Sequence, residues 1–104
     1  MSNTKTIPAT GTTPVLMDTT PLAGGYGREA KVHLGANVGV ATGVLLQGHN
    51  GVPGDGEPGS GDAGWFTLLS APQTAAVVEV ADLPQWVRKG GATLASPIVI
   101  EGVQ

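Results

Sequence analysis

No cysteine occurs in the 104 residues, which excludes a disulfide scaffold and any zinc site built on thiolates. A chain without thiols folds equally well in either redox compartment. Charge is scarce: 12% of the residues are Asp, Glu, Lys or Arg, with a formal net charge of −3. The basic residues Lys5, Arg28, Lys31, Arg88 and Lys89 form no stripe, so the electrostatic footprint of a nucleic-acid binder is missing. Low charge with 40% hydrophobic residues also argues against disorder. No charged-then-apolar segment opens the chain like a signal peptide, and no apolar run approaches the roughly 20 residues that span a bilayer. The expectation is synthesis in a cytoplasm, with neither membrane nor nucleic acid as a partner. Aromatic residues are limited to Tyr26, Trp65, Phe66 and Trp86. Much of the apolar content is Ala and Val, which predicts a core of small pieces.

What the chain has in abundance is punctuation: 17 glycines and 8 prolines. Each glycine in a regular element costs about 0.5–1 kcal/mol relative to Ala, and a domain of this length leaves much of its surface exposed. Both point to a single domain stabilised by self-association or by docking on something larger. Residues 1–13 (MSNTKTIPATGTT) show no period and predict an extended N-terminal arm, either flexible or laid along a neighbouring subunit. From residue 14 onward the pattern is short apolar runs between turn signals. Pro14 to Asp18 fits an edge strand, followed by a turn at Gly24-Gly25. Arg28 to Leu34 alternates, with Ala30, Val32 and Leu34 on one face and Glu29, Lys31 and His33 on the other. A turn at 35–39 precedes Val40 to Gln47, whose near-continuous apolar character predicts a strand buried on both faces, with Gly43 marking a bulge.

A glycine-rich loop at 48–64 follows, longer than most loops in compact domains. Trp65 to Ser70, Thr74 to Ala81 and Gln85 to Lys89 predict further strands, the last with Trp86 and Arg88 on one face and Val87 on the other. Ala92 to Val103 predicts a final strand or strand pair. Seven or eight short strands without a helix suggest an all-β sandwich, jelly roll or small barrel.

Chemistry-bearing motifs fail on context. Gly54-Asp55-Gly56-Glu57-Pro58-Gly59 matches the dinucleotide fingerprint formally, but Ser60-Gly61-Asp62-Ala63-Gly64 after it cannot sustain the helix whose N-terminus would hold a pyrophosphate. Asp55, Glu57 and Asp62 do not have the spacing of a calcium loop and read as a solvated polar loop. His33 falls on a polar strand face and His49 in a turn, so both read as surface histidines. None of Ser2, Ser60, Ser70 and Ser96 sits in a nucleophile elbow. No cofactor, metal or catalytic role is expected. Trp65 reads as core. Trp86, with Arg88 beside it, is the better candidate for a contact surface.

Leu46-Gln47-Gly48-His49-Asn50-Gly51, then Trp65-Phe66-Thr67-Leu68, then Leu83-Pro84-Gln85-Trp86-Val87-Arg88 resemble the strand-and-turn pattern of small tailed-phage head-decoration or cement proteins. The resemblance covers roughly residues 28–103, and it departs at His49, where serine is usual, and in the length of the glycine-rich insertion. Thr13 to Asp18 is also similar to the segment after the N-terminal arm of lambda-type head-decoration proteins. The resemblance implies a non-enzymatic virion structural protein, made in the host cytoplasm, that binds the major capsid protein on the capsid exterior as a homo-oligomer, a dimer or trimer. Ile7, Pro8, Trp86 and Arg88 are the candidate partner contacts. The alternatives are a tail or head–tail junction component, and a carbohydrate-binding module with Trp65, Trp86 or Tyr26 as a stacking platform.

Overall fold

The computed structural model describes residues 3–17, 29–40, 42–51 and 56–102. The turn expected at Gly24-Gly25, together with Asp18, Tyr26, Arg28 and Asp55, lies outside the described residues. Among the described residues there are eight strands: β1 Asn3–Ile7, β2 Val15–Leu16, β3 Ala30–His33, β4 Gly43–His49, β5 Phe66–Ala71, β6 Val77–Val80, β7 Trp86–Lys89 and β8 Ile98–Gly102. They make two four-stranded antiparallel sheets, sheet A in the order β1-β8-β3-β6 and sheet B in the order β2-β7-β4-β5. The pairing is nested. β4 pairs with β5 as the innermost hairpin, β3 with β6 around it, β2 with β7, and β1 with β8 outermost. Rolling such a long double ribbon so that β3 meets β8 and β4 meets β7 gives a jelly roll. The all-β architecture is therefore as the sequence predicts.

Strand alternation decides the faces. In β3, Ala30 and Val32 are buried and Lys31 is exposed; in β8, Ile98 and Ile100 are buried between half-exposed Val99 and Glu101. The core between the sheets is aliphatic, with Ile7, Leu34, Leu45, Leu46, Ile98 and Ile100 among its largest fully buried side chains. Trp65, Phe66 and Trp86 all stay outside it. Leucine and isoleucine, each worth about 1.5–3 kcal/mol when fully buried, replace the Ala/Val core that the composition suggested.

Three expectations change. The predicted arm over 1–13 is, at residues 3–7, an edge strand. Thr4 and Thr6 face out, and Ile7 pairs with Ile98 and is fully buried. Without this strand, one side of β8 would carry an unpaired row of backbone groups. Ile7 is thus a core residue and not a surface offered to a partner; Pro8, next in the chain, is exposed. The second change concerns β4. Val40 stands 62% exposed in a turn, and the strand starts at Gly43 and runs on through Gly48 and His49. Its register shifts around Leu45, so that two consecutive leucines, Leu45 and Leu46, are buried. Gly90 passes against this irregularity. Its N–H donates to Leu45 O (2.9 Å), Ala92 N–H donates to Val44 O (2.9 Å), and no room is left for a Cβ at 90. Third, Ala92 to Ser96 is not a strand, although Ala92 and Leu94 still bury their side chains. Asn37 holds this stretch. It is fully buried, donates through Nδ2 to Leu34 O and Ser96 O, and accepts Ala95 N–H at Oδ1 (2.7 Å).

Candidate functional site

The outer face of sheet B is built from the residues that alternation turns away from the core. Leu16, Trp86 and His49 form one cross-strand row, and Arg88, Gln47 and Thr67 the next. Residues 59–65 fold back over this face. The reversal begins at Gly51, whose φ of +74° favours glycine, and a Cβ there would also run into the Gln85 side chain.

Each group that holds the returning loop has a defined partner. Asp62 Oδ1 accepts from His49 Nε2 at 2.8 Å and from Gly64 N–H at 2.7 Å. Trp65 Nε1 donates to Gly59 O at 2.8 Å. Arg88 donates through Nε to Gln47 Oε1 (2.8 Å) and through Nη1 to Ser60 O (3.0 Å). The Arg88 guanidinium also stacks 4.0 Å from the Trp65 ring centroid, a cation–π contact of about 0.5–1 kcal/mol at a partly exposed site. The His49 ring meets Trp65 edge-on, with centroids 5.0 Å apart at 70°. His49 is only 6% exposed. The glycine-rich insertion is therefore anchored through its second half by side chains from β4 and β7.

The hydrogen bonds set the protonation pattern. Gly51 N–H donates to His49 Nδ1 at 2.8 Å, so Nδ1 is the acceptor and Nε2 carries the hydrogen shared with Asp62. The His49 hydrogen bond, then the Gly64 N–H, hold the Asp62 carboxyl below its usual range; desolvation opposes them, and the coulombic effect of His49 adds the smallest lowering. Both ring nitrogens are occupied within the chain. The Asp62–His49 pair directs its basic nitrogen at a backbone amide, and in this arrangement offers it to no external ligand.

Trp86 and Arg88 share the outer face as their spacing predicts, but Arg88 is committed to the loop, leaving Trp86 beside the 47%-exposed Leu16. Two expectations are corrected. Trp65 is half-buried and roofs His49, since its position just before β5 places it at the sheet's outer surface. His49 is a buried post under the loop and not a surface histidine, because β4 continues two residues past Gln47 and the strand period carries it to the same face. That continuation was the available sequence signal. Nothing in the sequence marked Asp62 as its partner.

On the opposite sheet, His33 Nε2 lies 3.2 Å from Glu101 Oε1 at the surface. A cleft of about 280 Å³ at one end of β3 and β6 is lined by Glu29, Lys31 and Glu79 with Ala30, Val80 and Ala81. Among the described residues no group of three or more His, Asp or Glu is placed to hold a metal ion, and no helix is long and apolar enough to cross a membrane. In comparison with known proteins, no family model, curated protein or solved structure matches this chain.

Proposed function

We propose that the chain is a tailed-phage virion structural protein that decorates and cements the capsid. In this reading it binds the major capsid protein on the exterior of the shell as a homo-oligomer and catalyses no turnover. One observation carries the proposal. The three segments with the family's strand-and-turn pattern, 46–51, 65–68 and 83–88, come together as the adjoining strands β4, β5 and β7 of sheet B and their flanks. A pattern scattered along the sequence thus occupies one connected part of sheet B, with Trp86 and the exposed Leu16 next to the anchored loop. The dimensions also suit a covering role: the molecule measures 37 × 32 × 16 Å, a plate with two broad faces. A carbohydrate platform has less support at Trp65, where Arg88 occupies a ring face.

The test is to titrate purified protein onto expanded, empty capsids of its native particle and count bound copies. Decoration predicts hundreds per shell; a few copies would indicate a tail or junction part, and none would refute capsid binding. Within the decoration reading, Trp86→Ala should weaken attachment by about tenfold or more while leaving the free protein folded. Unchanged attachment would remove the outer face of sheet B from the contact.

A further inference from the structure

We propose that Asn50-Gly51 is a self-modification site, in which the His49–Asp62 pair promotes ring closure of Asn50 onto the Gly51 nitrogen and so converts Asn50 to aspartate or isoaspartate. The proposal is independent of what the protein binds. It starts from the target of His49. The Nδ1 lone pair lies 2.8 Å from Gly51 N and accepts its hydrogen, while Nε2 is held at 2.8 Å by Asp62. An Asp–His pair of this kind is the arrangement that activates a serine hydroxyl in hydrolases, where the carboxylate fixes the tautomer and stabilises the imidazolium. Here the group in the nucleophile's place is a backbone amide. An ordinary carbonyl acceptor would only hold that N–H; an imidazole nitrogen can take its proton.

The residue preceding that amide has a suitable electrophile. Asn50 is exposed, and no hydrogen bond holds its side chain among the described residues. Rotation about its side-chain bonds, together with the rotation about the Asn50 Cα–C bond that ring closure requires, brings Cγ to the next nitrogen in the chain. The next residue is glycine, with no Cβ to obstruct the approach. Asn37 is the internal control. It is followed by Val38, fully buried, and hydrogen-bonded through both ends of its amide.

The chemistry balances without any oxidant or cofactor. His49 Nδ1 takes the proton from Gly51 N as that nitrogen bonds to Asn50 Cγ. The proton is passed to Nδ2 of the tetrahedral adduct, the Cγ–Nδ2 bond breaks, and ammonia leaves a five-membered succinimide. Water then opens either ring carbonyl, giving aspartate or isoaspartate and restoring the Gly51 N–H. Asp62 remains ionised throughout and acts as a positioning residue. While the succinimide stands, Gly51 has no hydrogen to give His49, so the anchoring of the loop is loosened. The final product adds one negative charge beside the site. This is a single event per chain and not turnover.

The test follows Asn50 in the full-length protein at neutral pH over days, by peptide mapping, mass spectrometry and isoaspartyl methyltransferase labelling. Wild type in buffer is compared with wild type in urea and with Asp62→Asn. The asparagine retains an oxygen that can accept both hydrogen bonds but removes the charge, so a merely structural role would leave the rate unchanged. Expected are native conversion at least about tenfold faster than in the unfolded chain, a comparable loss in Asp62→Asn, and partial recovery in Asp62→Glu. Tryptophan fluorescence confirms that each variant is folded. Native conversion no faster than unfolded, or an unchanged rate in folded Asp62→Asn, overturns the proposal. Should Asp62→Asn fail to fold, the native-against-urea comparison decides alone.

Discussion

Replacing Ile7 by alanine separates a strand of the fold from an arm meant for a neighbour. Ile7 is fully buried, pairs with Ile98, and belongs to the central cluster with Leu45, Leu46 and Ile100. Ile→Ala removes three carbons, about 2.4 kcal/mol at ~0.8 kcal/mol for each buried carbon, and the residual cavity brings such substitutions to about 2–5 kcal/mol. A domain of this length has about 5–15 kcal/mol of stability in all, so a large fraction would be lost. With a urea slope of about 1–3 kcal/mol/M, a loss near 3 kcal/mol lowers the midpoint by about 1–3 M. The assay is equilibrium unfolding of the isolated protein followed by tryptophan fluorescence. Trp86 lies on sheet B and Trp65 just before β5, both away from the sheet that contains the mutation, so a shifted midpoint with unchanged slope also shows that the two sheets unfold together. Thr4→Ala, on the exposed side of the same strand, is the control and should stay within about 0.5 kcal/mol. If Ile7→Ala changes stability no more than Thr4→Ala does, β1 contributes nothing to the isolated fold and the packing argument fails.

Gly90→Ala should destabilise by about 1–3 kcal/mol, read by the same denaturation. Its Cβ would fall 2.8 Å from the Val44 carbonyl carbon and 2.6 Å from Val44 Cγ1, and the Val44 carbonyl is fixed by the Ala92 N–H. Arg88→Lys keeps the charge but cannot bond Gln47 and Ser60 in the same fork while stacking on Trp65. Protease cleavage within residues 56–64 should rise severalfold with little change in melting temperature, whereas an unchanged cleavage pattern would show that the loop is held without Arg88. For acid behaviour, the folded Asp62 carboxyl titrates below its ordinary value because His49 and Gly64 N–H favour the ionised form. Its contribution to stability is complete above the unfolded value of 3.8 and is lost as pH falls through the lower folded value. Wild type should therefore exceed Asp62→Asn in stability above 3.8, with the margin narrowing as pH falls below it. A margin that persists unchanged to the lowest pH would exclude the carboxylate as its source.

Several elements were legible from residue order because they depend on a local period. Strand side chains alternate, so Ala30 and Val32 against Lys31, Val87 against Trp86 and Arg88, and Ile98 and Ile100 against Val99 could be assigned to faces from neighbours alone. Glycine and proline punctuation separated the strands, and seven or eight short strand-like runs without a helix pointed to an all-β chain. The candidate site was half legible: Trp86 and Arg88 were placed on their face, while His49 was lost because Gly48 reads as the end of a strand that in fact continues to residue 49.

The remainder depended on which segments meet. Residues 3–7 read the same in the sequence whether they pair with a neighbour or with their own chain; only the nested pairing, which brings the outermost strands β1 and β8 together, commits Ile7 to the core. Gly43 pointed to a bulge in this strand, but its place between Val44 and Gln47 comes from matching β4 to β5 on one side and β7 on the other. Asp62 and His49 are 13 residues apart with glycines between, so no periodicity couples them. Their contact exists because a flexible loop closes on a strand whose outer face was set by the packing of its inner one. Local backbone geometry thus determined what each strand looks like, and long-range pairing, with its chain-entropy cost met by burial on both sheets, decided which side chains share a surface.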